Sequence, residues 1–284
     1  MKNSAVLLVQ CADRKGLDAA IAEFLYRHDG NILNFEQHSA GQERFYHARV
    51  EWDLSGFKLD LDQFDVEFGP VAHRFGMSWS VALSSHRPRV AIFVSKYDHC
   101  LVDLLYRQRN GELHCDFPLM ISNHADAKHH ADFYGVRYYE IPVIRENKPR
   151  AEAQQLELLE KFQIDLVVLA RYMQVLSNDF IQRYPRPIIN IHHSFLPAFV
   201  GAKPHQQAFQ RGVKLIGATA HYVTEVLDDG PIIEQGVARI THKDDVDDLV
   251  EKGRDLEKIV LSRAVRWHIE NRILLHGNRT VIFE

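Results

Sequence analysis

Asn190, Ile191 and His192 run on into His193-Ser194-Phe195-Leu196-Pro197, and a second polar knot, Leu227-Asp228-Asp229-Gly230-Pro231, follows at 228 − 190 = 38 positions from Asn190 to Asp228. An amide, an imidazole and a carboxylate together suit carbonyl chemistry without a metal. The Asn190 amide and a protonated His192 would donate hydrogen bonds to the oxyanion of a tetrahedral intermediate. Asp228 would take a proton from the nucleophile, directly or through water, and deliver it toward a leaving nitrogen. Burial in an apolar cleft is expected to raise the Asp228 pKa and make it a better base. Ser194 lacks the Gly-x-Ser-x-Gly elbow of a serine nucleophile, and the scheme needs no covalent intermediate.

Strands must position these groups. Pro187-Ile188-Ile189 opens a buried strand, on which residues two apart share a face at roughly 6.5–7 Å. Asn190 and His192 then look into one cavity while Ile191 and His193 look away. Ile216–Val223 carries Thr219, His221 and Val223 on one face, and the loop Thr224–Gly230 brings in Asp228. Arg171-Tyr172-Met173 follows the apolar run Leu166–Leu169 at the same edge. Each residue also has a plainer reading. An Asn at a strand end caps or turns, a His on an apolar strand is usually structural, and Asp-Asp-Gly-Pro is a turn signal. The combination carries more than any member.

Around these segments the chain changes pattern once. Up to about Leu83 the order is βαββαβ: a strand Ala5–Val9, a helix Leu17–His28, strands Asn31–His38 and Arg44–Trp52 joined through Gly41, a partly helical Leu61–Phe75 and a strand Met77–Leu83. That is the ferredoxin-like plan of a small α+β domain. Residues 1–84 therefore read as one domain, 85–89 as a polar, proline-bearing linker, and 90–284 as a second domain. In the second, the short apolar runs Val90–Val94, Leu119–Ser122, Tyr138–Val143 and Leu166–Leu169 alternate with helical stretches. This predicts an α/β fold with a doubly wound, mostly parallel sheet, whose ligands bind beyond the strands' carboxyl ends.

Bulk properties exclude several classes. Of 284 residues, 46% are hydrophobic and 25% charged, which is ordinary globular composition. A net charge of −4 offers no basic footprint for nucleic acid, and no apolar run reaches the roughly 20 residues of a membrane helix. Cys11, Cys100 and Cys115 have no paired spacing, which suits a reducing, cytoplasmic setting. His99-Cys100 and His114-Cys115 lack zinc-site spacing and read as packing, so neither metal nor cofactor is expected.

Asn-Ile-His followed by Ser-x-Leu-Pro, then Gly217–Thr224 (GATAHYVT) and Leu-Asp-x-Gly-Pro, resembles the folate-dependent formyltransferase family over nearly all of residues 89–284. The resemblance implies the formyltransferase fold, Asn190, His192 and Asp228 as catalytic set, and a folate pocket lined by Met173, Gln174, Leu176, His221 and Thr224. Asn190–Phe199, Arg211–Val223, Gly230–Gln235, Gly253–Ala264 and the run Ser95-Lys96-x-x-His99-Cys100-Leu101 are most similar to the branch that passes the formyl group to water. The implied reaction is hydrolysis of 10-formyltetrahydrofolate to formate and tetrahydrofolate, in one-carbon metabolism and purine biosynthesis. Related transformylases carry a Gly-rich, phosphate-binding turn where this chain has Lys96, Tyr97, Asp98 and His99. Transfer to an amine acceptor, and a folate- or amino-acid-binding regulator without turnover, are the rival readings. A metal-dependent hydrolase is more distant. The sequence departs from the family pattern at His205-Gln206-Gln207, where Tyr-His-Gln is expected. The N-terminal domain resembles an ACT module, which implies a homo-oligomer and an amino-acid effector such as glycine or methionine near Asp13, Arg14, Gly16 and Asn31.

Overall fold

In the computed structural model, residues 3–40, 44–197 and 204–284 are described; Gly41, Phe199, Ala202 and Lys203 lie outside them. The chain divides into two compact units, one of Met1–His86 with Glu270–His276 and Val281–Glu284, the other of Arg87–Ile269 with Gly277–Thr280.

The first unit follows the order β1 (Ser4–Ala12), α1 (Leu17–Arg27), β2 (Asn31–Ala40), β3 (Phe45–Asp53), α2 (Phe64–Phe75) and β4 (Ser78–Leu83). Its antiparallel sheet runs β2-β3-β1-β4, so a βαββαβ chain places its first and third strands at the centre. The pleat divides β1 between two cores. Ala5, Leu7, Val9 and Cys11 pack with Leu17, Ile21, Phe24 and Leu25 of α1 and Phe64 and Phe68 of α2. The α1 residues recur at helical spacing, which gives that helix a single buried stripe. Val6 and Leu8 point the other way and meet Phe283, with Leu274 and Val281 against them.

That second contact corrects the domain reading. Assigning 90–284 to one domain leaves the back of β1 bare, whereas the last strands, β12 (Ile273–His276) and β13 (Arg279–Ile282), form a hairpin whose apolar residues cover it. The two strands are too short and mixed in composition to show this destination in the sequence.

The second unit contains β5 (Arg89–Val94), α3 (His99–Arg109), β6 (Asp116–Ser122), α4 (Lys128–Tyr134), β7 (Arg137–Glu140), α5 (Lys148–Lys161), β8 (Leu166–Ala170), α6 (Asn178–Arg183), β9 (Ile188–His192), α7 (Pro204–Arg211), β10 (Leu215–Tyr222), β11 (Ile232–Arg239) and α8 (Val246–Ile269). The sheet order is β11-β10-β9-β8-β5-β6-β7. Pairing is parallel from β9 across to β7, and β10 and β11 join antiparallel. The mostly parallel α/β sheet is therefore as the apolar runs predict. Val90–Val94 and Val167–Val168 are fully buried, because helices cover both faces of a parallel sheet. The chain winds outward through β6 and β7, then returns past β5 to β8, so the topological switch lies beside the carboxyl ends of β5 and β8.

Phe283→Ala should lower the stability of the first unit by about 3 kcal/mol, through lost burial and the cavity left against Val6 and Leu8. Urea unfolding followed by Trp52 and Trp79 fluorescence measures it; an unchanged midpoint would remove the hairpin from that core.

Candidate active site

A cavity of about 420 Å³ opens at the carboxyl ends of β8 and β9, and Asn190, His192, Asp228, Met173, Gln174, Leu176, His221 and Thr224 all line it. A larger cavity of about 560 Å³ lies along α5 and α6 and contains none of these residues.

Register explains half of the arrangement. In the antiparallel β9–β10 pair His221 stands opposite Asn190, and Thr219 opposite His192. Partners facing each other across such a pair are within side-chain reach, and Asn190 Nδ2 is 3.2 Å from His221 Nε2. The His221 Nδ1–H donates to the Tyr222 carbonyl at 2.9 Å. Its Nε2 lies between the Asn190 amide and the Asp228 carboxylate, and the amide keeps an N–H for another partner. Thr219 is fully buried; it accepts from the Leu196 N–H at 3.1 Å and donates to the Ser194 carbonyl at 2.9 Å. It thereby ties down the turn that follows His192.

The other half is the loop after β10. The Tyr222 N–H donates to the Pro231 carbonyl at 2.9 Å and closes the loop base. Gly230 runs so near this strand that a Cβ would overlap the Tyr222 carbonyl oxygen. Beyond the loop, Asn278 Nδ2 donates to the Asp229 carbonyl at 2.9 Å and Thr280 donates to the Ile232 carbonyl at 2.6 Å. Asp228 itself adopts a left-handed φ of 57°, which Asp tolerates better than most residues. Its Oδ2 lies 3.3 Å from His192 Nδ1, and Oδ1 lies 3.6 Å from His221 Nε2.

This geometry overturns the expected rise in the Asp228 pKa. The hydrogen bond from His192, then the approach of His221, outweigh desolvation and hold the carboxyl well below the usual carboxylate range. Asp228 is thus a firmly ionised partner of two imidazoles rather than a strengthened base. With its Nδ1 on Asp228, His192 turns Nε2 elsewhere, and that atom is buried without a partner among the described residues.

The segment after β8 forms the opposite wall. Arg171 and Met173 have left-handed φ values of 63° and 50°. Such conformations persist only where the surroundings impose them. Here the Ser95 hydroxyl binds the Tyr172 carbonyl, Gln155 donates to the Tyr172 hydroxyl at 2.8 Å, and Glu152 accepts from the Ser177 N–H at 2.9 Å. So clamped, the segment leaves Met173 and Val175 exposed, facing a loop that exposes Val226 and Leu227 at 62% each. An apolar rim around convergent polar groups is the form of a small-molecule site.

Not every expected grouping forms. Asn31 stands opposite Asp53 at the sheet end that holds Ser4, whereas Asp13 follows Ala12 at the other end. The length of β1, roughly 26 Å, separates them, so Asn31 shares no site with Asp13, Arg14 and Gly16 of the same chain. Ile191 and His193, expected to face away, line the same cavity as Asn190 and His192. Sequence reasoning also missed Glu257. It is 1% exposed on α8, accepts from His99 Nε2 at 2.7 Å and lies 3.4 Å from Arg171 Nε. His99, Cys100 and Glu257 present donor atoms within 4.8 Å of one another, but the imidazole is engaged by the carboxylate and burial raises the Cys100 thiol well above its ordinary value. Cys11, Cys100 and Cys115 are all free and buried.

The formyl transferase family model matches residues 88–265. A formyltetrahydrofolate deformylase of Synechocystis sp. is 51% identical across 99% of this chain and 98% of its own length. The crystal structure of a formyltetrahydrofolate deformylase from Pseudomonas syringae pv. tomato superposes with a TM-score of 0.97 at 45% identity, covering 100% of this chain and 95% of that one. Glycinamide ribonucleotide transformylase 1 from Symbiobacterium toebii gives a TM-score of 0.66 at 30% identity, over 71% of this chain and 97% of its own.

Gly230→Ala should displace the Asp228 loop, seen as loss of the 3.3 Å Asp228–His192 contact in a crystal structure of the variant. A depressed carboxyl pKa stabilises the fold above its unfolded value, about 3.9, and that stability fades as pH falls toward the folded value. The gap in unfolding stability between wild type and Asp228→Asn should accordingly be full at neutral pH and close in acid. A gap that widens on acidification would contradict the assigned direction.

Proposed function

The chain belongs to the formyl transferase family and, within it, to the formyltetrahydrofolate deformylases, and we propose that it hydrolyses 10-formyltetrahydrofolate to formate and tetrahydrofolate with water as acceptor. The observation that carries the mechanism is the convergence of Asn190, His192 and Asp228 on one cavity with an apolar rim. The pterin ring lies against Met173–Leu176 and the Thr224–Asp228 loop, with Gln174 and Thr224 available to its polar edge. Asn190, through its remaining N–H, and His192, through a protonated Nε2, hold the formyl oxygen as it becomes an oxyanion. Ionised Asp228 fixes the His192 ring and balances the charge it carries. From the same place it relays a proton from the water to the leaving nitrogen.

Water is favoured over an amine acceptor on two grounds. Relatives that match from end to end carry the deformylase name, whereas the transformylase covers 71% of the chain. At the β5 corner, moreover, the cationic side chain of Arg171 is already faced by the buried Glu257 carboxylate, which also holds His99. The Arg171 guanidinium is therefore already compensated and is not left over for an anionic acceptor. The βαββαβ order of the first unit supports an ACT-type role: subunit pairing into a homo-oligomer, and capture of an amino acid such as glycine or methionine near Asp13, Arg14 and Gly16. The proposed reaction needs no metal or cofactor and belongs to the cytoplasm.

Purified protein given 10-formyltetrahydrofolate and no amine should release formate steadily, at a rate that a chelator leaves unchanged. No release without an added amine would instead favour the transferase. His192→Ala should lower kcat at least about 100-fold, the scale of losing one oxyanion donor. Asp228→Asn should lose turnover yet still bind tetrahydrofolate, and a variant with near-normal kcat would withdraw that residue's role.

A further inference from the structure

β9 ends at His192, so His193 escapes the strand alternation and turns into the cavity wall. Its ring lies 5.3 Å from that of His192 and 6.1 Å from that of His205. Arg171 lines the same cavity and is paired from behind by Glu257. Among the described residues nothing hydrogen-bonds to the His193 ring. Burial, then the charge of Arg171, lowers its pKa to about 3, against the opposing pull of Glu257. A neutral imidazole offers one N–H and one bare nitrogen, here with no protein group to take them. The catalytic polar groups nearby are already engaged with one another, Asn190 with His221 and Asp228 with His192.

We propose that His193 holds the hydrolytic water, its bare ring nitrogen accepting one water O–H so that the oxygen lone pair faces the formyl carbon. The inference rests on the deformylase reading. In the step, the water oxygen bonds to carbon and the carbonyl π pair moves onto oxygen beside Asn190 and His192. The oxyanion pair then re-forms the C=O bond as the C–N bond breaks, nitrogen leaves with the C–N electron pair, and one water proton reaches it through Asp228. The other proton goes to solvent as formate departs. His193 orients the water and does not keep a proton.

His193→Ala should lower kcat about 100-fold, the usual scale for misplacing a reactant, with KM for 10-formyltetrahydrofolate within about twofold of wild type. His193→Gln, which retains an acceptor, should recover about tenfold of that loss. Tetrahydrofolate binding, followed by fluorescence, should persist in both. A kcat near wild type, a Gln variant no better than Ala, or loss of tetrahydrofolate binding alongside turnover would overturn the assignment. Wild-type protein that releases no formate would refute the deformylase reading itself, whereas turnover retained by His193→Ala refutes only the role of His193.

Discussion

The Asp228–His192 contact organises the site, and it is a matter of charge more than of proton affinity. At 3.3 Å, with the carboxylate side chain 15% exposed, the attraction acts where water screens it only partly. The carboxylate stays ionised because two imidazoles favour that form more than burial opposes it. Anchoring Nδ1 of His192 there leaves Nε2 as the ring nitrogen turned away from the carboxylate, the atom that would receive an oxyanion in the proposed reaction. The structure around the pair serves to keep it in register: Thr219 beneath the turn after His192, Gly230 against Tyr222, and Asn278 on the Asp229 carbonyl.

Backbone strain is distributed accordingly. Arg171, Met173 and Asp228 are non-glycine residues at positive φ that all line the cavity. Left-handed backbone costs of order 1–3 kcal/mol per residue and survives where neighbours over-determine it. Ser95, Gln155 and Glu152 hold the Met173 segment from below, while the short Tyr222–Pro231 closure holds the Asp228 loop. Rigid support behind an exposed apolar rim lets Met173, Val175, Val226 and Leu227 face solvent without the segments collapsing onto one another. An apolar rim of that kind is stable only because its backbone is held elsewhere.

What the sequence reveals depends on the range of the interaction. Apolar periodicity is local, so the strands β1 to β10 and the helices α1 to α5 are legible to within a few residues, whereas the short α6 and α7 are not. Period-two alternation places Asn190 with His192, and the motif pattern adds Asp228. Alternation fails at His193 because the strand has ended, and strand ends are not written in periodicity. The direction of the Asp228 shift is hidden from the sequence because desolvation follows from composition, whereas the two imidazoles that overcome it come from β9 and β10. Asn31 looks near Asp13 in sequence, yet one strand length separates them once β2 is paired. Glu257 and Phe283 act on partners more than 150 positions away, beyond any sequence window.

The same distant partner bears on the choice of acceptor. Arg171 sits at a sheet edge that ordinarily attracts anions, since strand ends, helix N-termini and guanidinium groups all favour negative charge. Glu257 supplies that negative charge from within the fold. Its own carboxyl sits below the ordinary value: burial pushes it up, and the His99 hydrogen bond and the Arg171 charge together outweigh that. A buried ion pair of this type adds little to net stability, because desolvation of both groups offsets their attraction. Its consequence is electrostatic: the inner end of the cavity becomes polar but nearly neutral, lined by an imidazole and a compensated guanidinium. Such a surface holds a neutral, hydrogen-bonding nucleophile better than a phosphorylated one, and water is the smallest molecule that meets the description.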